Sequence, residues 1–322
     1  MTKSSRPVTF KYTDVPDLTG QVALITGAST GIGKATLSAL GAKGAHVVCV
    51  GRNPEKSKAA IDEVVRATGN TKVDYIEADL NDLASVNKAA SAFLAMNLPL
   101  HMLVLNAGVM ALPKFELSKD GIEQQFATNH FAHFLLTERL LPTLEQTALS
   151  GAHPVRVVSV SSGANLWAPK DGIHMDQLND EKWYQPMRRY GETKLANILM
   201  MQELQRRLEA KHGKNVKIYC NSLHPGVVRT ELGRYQAPQS FGSSNKDAPK
   251  MVFLDPVEGA ISSVYLATSP DVPSKNIRGQ YYWDQGRVAR KGELHAKAGD
   301  LDHQKTVWVW SENVIKQKMA RL

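Results

Sequence analysis

The sequence has two cysteines in 322 residues, Cys49 and Cys220, each inside an apolar, strand-like run. Two thiols so placed exclude a disulfide framework and fall short of a metal site, which needs more ligands at closer spacing. They read as buried thiols of a reducing compartment. No apolar run approaches the ~20 residues needed to span a bilayer. The first twenty residues carry Lys3, Arg6, Lys11, Asp14 and Asp17 and no apolar segment, so no signal peptide or membrane anchor is expected there. Internal repeats, low-complexity tracts and Pro/Gly/Ser linkers are also missing. Acidic residues are outnumbered 31 to 39, a formal charge of +8, but the surplus is diffuse: Gly286 to Leu322 holds eight basic and four acidic residues. A nucleic-acid surface needs a clustered basic face, so the milder expectation is favourable handling of anionic ligands. These absences together predict a cytoplasmic protein with neither a membrane span nor a nucleic-acid partner.

What is present is an alternation of short apolar strands and helical stretches. Val22 to Ile25 is an apolar run ending at a glycine-rich turn, after which Ile32, Ala35, Ala39 and Leu40 repeat at helical spacing. His46–Val50 is the next strand, 55–67 a helix, Val73–Ala78 a strand and Leu103–Leu105 another. A helix is expected from about Gly121 through Leu141, strands at Val155–Val160 and Val216–Cys220 with a long Tyr190–Leu208 helix between them, and a last strand at Gln280–Trp283. This pattern predicts an α/β fold whose parallel sheet is covered by helices on both faces. The chain is expected to be one domain over 1–322: a cofactor-binding half over about 20–150, a catalytic and substrate-binding half over about 151–285, and a helical extension over about 286–322. Segments 163–189 and 231–250 are polar, follow strand ends, and are expected to wall a substrate pocket. Val307, Trp308, Trp310, Val314 and Ile315 form an apolar helix stripe, expected to pack onto the core, with membrane association or a dimer contact as the alternatives.

Two groups of residues carry chemistry. Gly27, Ser29, Thr30, Gly31, Ile32 and Gly33 lie between a strand and a helix. Glycines there let backbone N–H groups approach phosphate, and the helix that follows points its positive end at the same place. Arg52 and Asn53 follow the second strand, Arg52 nineteen positions past Gly33. A dinucleotide site that prefers NAD carries an acidic residue about there, whereas arginine suits a 2′-phosphate, so NADP(H) is the expected cofactor and NAD the less favoured one. Lys34 would add charge. Asp79 and Leu80 would flank an adenine, and Asn106, Ala107 and Gly108 would line the cofactor; alone, each reads as ordinary turn chemistry.

The second group is Tyr190 with Lys194, one helical turn apart, and the Ser161–Ser162 pair upstream. A free phenol has a pKa of about 10, and bringing it near 7 requires about 4 kcal/mol of differential stabilisation. A cation one turn away would lower the phenol's pKa, and the Ser162 hydroxyl would orient a substrate oxygen. Without the glycine turn, Tyr-x-x-x-Lys would read as an amphipathic surface pair.

With these residues in view, the chain resembles the short-chain dehydrogenase/reductase family from about Val22 to Tyr282, and within it most resembles the branch of retinol dehydrogenases and WW-domain oxidoreductases. The resemblance implies a Rossmann-type doubly wound sheet and assigns a catalytic set of Asn129, Ser162, Tyr190 and Lys194, with Asn129 supporting a proton relay through Lys194. It adds Pro225, Gly226, Val228 and Thr230 on the nicotinamide side. The 28 positions from Ser162 to Tyr190 exceed those of compact members, and 163–189 is read as an insertion. The activity implied is NADP(H)-linked interconversion of a small hydrophobic alcohol with its ketone or aldehyde, in lipid-like or specialised (secondary) metabolism. The alternatives are a non-catalytic NADP(H)-sensing or scaffold protein on the same fold and, further off, an isomerase or dehydratase. A homodimer through the helix faces around 121–141 and 190–208 stays open, since the same faces can pack on the sheet.

Overall fold

A computed structural model describes residues 10–234, 253–283 and 286–320. The cationic N-terminal residues Lys3 and Arg6, and 235–250 of the pocket-wall segment, lie outside the described residues. Eight strands form one sheet in the order β3-β2-β1-β4-β5-β6-β7-β8. They are β1 (Val22–Thr26), β2 (His46–Gly51), β3 (Val73–Glu77), β4 (Met102–Leu105), β5 (Val155–Val160), β6 (Ile218–Leu223), β7 (Tyr281–Trp283) and β8 (Arg287–Val288). All neighbours pair in parallel except β7 with β8. This is the α/β, Rossmann-type doubly wound sheet the sequence predicts.

The strands read as continuous apolar runs because both faces are covered. Residues alternate along β1: Leu24 packs with α3 (Leu83–Ala95), α5 (Ala132–Ser150) and α6 (Pro186–His212), while Ala23 and Ile25 pack with α1 (Gly31–Gly41) and α7 (Pro256–Thr268). The remaining helices are α2 (Pro54–Thr68), the short α4 (Gln124–Phe126) and α8 (Asp271–Ser274), and the terminal α9 (Leu301–Met319). Spacing analysis passes over α3 and α7. Both carry local start signals: Asp82 accepts from Ser85 N, and Asp255 and Glu258 form a capping box ahead of Pro256.

The helix expected over 121–141 is corrected at both ends. It begins at Gln124, where the Glu123 carboxylate accepts from the backbone of Gln125 and Phe126, and passes through a π turn, Ala127–Phe131. It then continues through Pro142 to Ser150, because Leu144 and Ala148 beyond the proline are anchored in the core. The long helix starts at Pro186 rather than Tyr190, proline being favoured at a first helical position, and runs to His212. β6 starts two residues later than expected.

The faces around 121–141 and 190–208 are occupied within the chain. α9 lies over them: Trp308 meets Phe134 at 4.7 Å between ring centroids, Trp310 meets Phe131 at 5.0 Å, and Ser311 Oγ sits 2.7 Å from His130 Nε2. The expected α9 stripe thus packs inward, with Val307, Trp308 and Ile315 buried; each such side chain contributes about 1.5–3 kcal/mol. Among the described residues, no helix is long and apolar enough to cross a membrane. Cys49 and Cys220 are both free and buried.

Candidate active site

A cleft of about 730 Å³ opens at the carboxyl ends of β1, β4, β5 and β6, where the strand order reverses direction around β1 and β4. One wall is the glycine turn. Gly27 and Gly31 have φ of +69° and +55°, a region side chains other than glycine rarely adopt. Gly33 is needed for a different reason: a Cβ there would lie 2.1 Å from Gly27 O and 2.5 Å from Asn106 Nδ2. The amino end of α1 therefore seats directly on the turn.

Helix ends in this chain differ in how they are closed. Asn53, Asp82 and Asp255 each accept a backbone N–H at the starts of α2, α3 and α7, but Thr30 makes no such bond at the start of α1. Thr30, Gly31 and Ile32 line the cleft, so the uncapped, positively polarised end of α1 faces it. That cradle fits a pyrophosphate and, with it, a nicotinamide dinucleotide.

The turn is fastened from beneath. Thr26 Oγ1 accepts from the backbone N–H of Asn106 (2.9 Å) and Ala107 (3.0 Å), and Asn106 Nδ2 donates to Thr26 O and Gly27 O. His133 Nε2 lies 2.9 Å from the same Thr26 oxygen, and burial pulls that imidazole down to about 3, leaving it neutral. Across the cleft, Pro225, Gly226, Val228 and Thr230 form the opposite lip, and the Thr230 methyl would meet a Cβ on Gly31 at 2.9 Å.

The Tyr190, Ser162 and Lys194 group sits between these walls. Ser162 and Tyr190 both line the cleft, with the serine near enough to favour the phenolate, and Ser162 Oγ accepts from Ala164 N at 3.1 Å. The two neighbouring serines separate because successive residues leave a strand on opposite sides. Ser161 Oγ donates to Lys194 O at 2.7 Å, tying α6 to β5, while Ser162 turns to the phenol. Lys194 Nζ donates to Val160 O at 2.9 Å.

One expectation about this group is corrected. Burial outweighs the neighbouring cation: Lys194 Nζ lies 5.5 Å from the Tyr190 ring centroid, yet the phenol stands above its ordinary value, offset only in part by Ser162. Burial also pulls the Lys194 ammonium down, to about 8. The Asn129 amide is bonded on both sides. Its Nδ2 donates to Val109 O (2.9 Å) and Thr193 Oγ1 (3.0 Å), and its Oδ1 accepts from Val109 N (2.8 Å). Asn129 lies in the π turn and clamps the segment after β4 to α6; the two sides meet at Gly108, whose Cβ would be 3.1 Å from Asn129 Oδ1 and 3.6 Å from Lys194 Nζ.

The structure does not bring every expected residue to the cleft. Arg52 is exposed at the end of β2, which Gly27 N ties to the glycine turn through Val50 O at 2.8 Å. Lys34 is paired with Glu63 at 2.5 Å. Asn53 is engaged as the cap of α2, Asp79 Oδ1 accepts from Asn81 N, and Leu80 is buried in the core. Ser29 is half-buried, and Ala107 packs beneath Gly27. Sequence reasoning passes over Met110 and His224, which line the cleft. The only signal for His224 is its place beside the Pro225–Gly226 pair.

Comparison with known proteins agrees with this geometry. The profile of the short chain dehydrogenase family matches residues 21–172. An uncharacterized oxidoreductase of Schizosaccharomyces pombe is 43% identical over 90% of this chain and 83% of its own length. Retinol dehydrogenase 11 of Mus musculus is 39% identical over 83% of this chain and 78% of its own. Among solved structures, an uncharacterized protein from Mycobacterium paratuberculosis superposes with a TM-score of 0.71 at 30% identity, covering 95% of this chain and 97% of that one.

Proposed function

This chain belongs to the short-chain dehydrogenase/reductase family, in its retinol-dehydrogenase-like branch, and we propose that it is an NADP(H)-dependent oxidoreductase interconverting a hydrophobic alcohol and its ketone or aldehyde. The observation that carries the reading is that Tyr190 and Ser162 line one cleft that ends on an uncapped helix. The bound nicotinamide dinucleotide supplies or accepts the hydride. Gly27, Ser29, Thr30, Gly31, Ile32 and Gly33 hold its phosphates, Asn106, Ala107 and Gly108 its body, and Pro225, Gly226, Val228 and Thr230 its nicotinamide side. Asp79 and Leu80 stand at the adenine end. Arg52, beside Asn53, is exposed next to the turn and supplies a planar cation for a 2′-phosphate.

In reduction, Ser162 hydrogen-bonds the substrate oxygen and Tyr190 passes it the phenolic proton; in oxidation, Tyr190 takes that proton back. A phenol raised by burial starts as the neutral acid, the form that reduction needs. Lys194 would hold the nicotinamide ribose, and Asn129, bonded to Thr193 beside Lys194, supports a proton relay through Lys194. Met110, Val228, Leu232 and Phe253 make the wall beside this group apolar, which suits a hydrophobic substrate of lipid-like or secondary metabolism. Two free, buried thiols suit the cytoplasm. We place both halves of the cleft and the α9 extension in one domain. A sensor or scaffold protein would need the cradle but not the phenol–serine pair.

The test follows NADPH and NADH oxidation against hydrophobic ketones and aldehydes. Turnover with NADPH that disappears in Tyr190→Phe supports the reading. A fully active Tyr190→Phe, or tight NADPH binding with no turnover of any carbonyl or alcohol, overturns it.

A further inference from the structure

His224 closes the cleft behind Ser162, and nothing in the mechanism above uses it. Its backbone N–H donates to Tyr282 O at 2.7 Å, and its ring packs edge-on against Trp283 with centroids 4.6 Å apart at 63°. The ring is therefore fixed in place and direction. Its Nδ1 is sealed from solvent with no hydrogen-bond partner. Its Nε2 lies 3.5 Å from the point where a Cβ on Gly163, the residue after Ser162, would sit; the same Cβ would be 3.0 Å from Trp283 Cη2. Glycine at 163 leaves that corner open.

The single proton of a neutral imidazole must go to one nitrogen. Burying an N–H with no acceptor costs about 1–3 kcal/mol, and an unfilled lone pair is the better tolerated of the two. The proton then belongs on Nε2, on the cleft side. The ring also stays neutral, since burial pulls it down to about 4, and the nearby Arg287 and Glu293 act in opposite directions and pair with each other at 2.7 and 2.8 Å.

We infer that His224 Nε2–H is a fixed, neutral donor to the substrate, and that the pocket selects carbonyl compounds bearing a second acceptor oxygen next to the reacting carbonyl. This rests on the reductase reading. A plain ketone would leave this donor facing an apolar group, whereas an adjacent carbonyl or hydroxyl oxygen fills it. Specificity of this kind works by penalising the substrate that lacks the partner.

The experiment compares kcat/KM for 2,3-octanedione with that for 2-octanone, using NADPH, in wild type, His224→Phe and His224→Gln. The ratio within each protein, compared across proteins, removes the intrinsic reactivity difference between the ketones. NADPH fluorescence on binding checks that each variant is folded. The expected result is a ratio at least tenfold lower in His224→Phe, mostly through KM, and within about threefold of wild type in His224→Gln, which keeps an N–H donor. An unchanged ratio in His224→Phe overturns the inference, as does a ratio equally low in both variants. If wild type binds NADPH yet turns over no alcohol or carbonyl, the reductase reading itself has failed, a different outcome from a working enzyme with an unchanged ratio.

Discussion

The two walls of the cleft treat their polar groups differently. Beneath the glycine turn, Thr26, Asn106, Asn129 and His133 are bonded to one another's backbones and side chains, and a Cβ on Gly33 would collide with backbone. On the side that follows β5, Tyr190, Ser162 and His224 line the open cleft. The first wall is a rigid seat that would accept any nicotinamide dinucleotide. The second leaves polar side chains on the cleft for the proposed substrate. Buried polar groups are normally satisfied, so the uneven distribution separates scaffold from chemistry.

The sharpest way to break this comparison is Gly33→Ala. A methyl 2.1 Å from a carbonyl oxygen forces the turn apart, costing about 3 kcal/mol and abolishing NADPH binding; calorimetry and fluorescence titration check both. Binding at wild-type affinity would show that the seat is not rigid. Next comes the serine pair. Ser162→Ala should lower kcat about 100-fold and, losing its bond from Ala164 N, cost about 1 kcal/mol of stability. Ser161→Ala, losing its bond to Lys194 O, should cost about 1–2 kcal/mol of stability and much less rate. Steady-state rates with urea melts decide between these patterns, and a reversed one would reverse the assignment.

A smaller effect is expected at Arg52→Ala: a loss of about tenfold or more in NADPH affinity, with NADH affinity unchanged. Equal loss for both cofactors would remove the 2′-phosphate role. The smallest effect follows from Lys194. Burial lowers its pKa to about 8, so its charge is present below that pH and lost above it. NADPH affinity should weaken a few-fold as pH rises from 7 to 9, and Lys194→Arg, charged throughout, should flatten the profile. A flat wild-type profile would separate Lys194's charge from cofactor binding.

Much of this was legible from residue spacing. The glycine turn, the Tyr190–Lys194 helical pair and the strand alternation all depend on local periodicity, which the sequence carries directly. What burial decides was not. Spacing alone suggests that Lys194 activates Tyr190; in the fold both groups are desolvated, and the phenol moves the other way. The division of labour between Ser161 and Ser162 depends on which side of β5 each leaves, and α5 passes Pro142 because Leu144 and Ala148 hold it to the core. His224 had no pattern of its own. Its role comes from Trp283 and Gly163, which lie far from it in sequence and meet it through the pairing of β5, β6 and β7.

The central claim is that Tyr190 delivers the proton while the glycine seat holds the cofactor independently. Its most direct test is single-turnover NADPH oxidation by Tyr190→Phe at saturating carbonyl, alongside the variant's NADPH Kd. The account predicts a rate lower by about 10²–10⁴-fold with Kd within about threefold of wild type. A wild-type rate would contradict the assignment of Tyr190, and a loss of rate matched by a loss of cofactor binding would contradict the independence of the two walls.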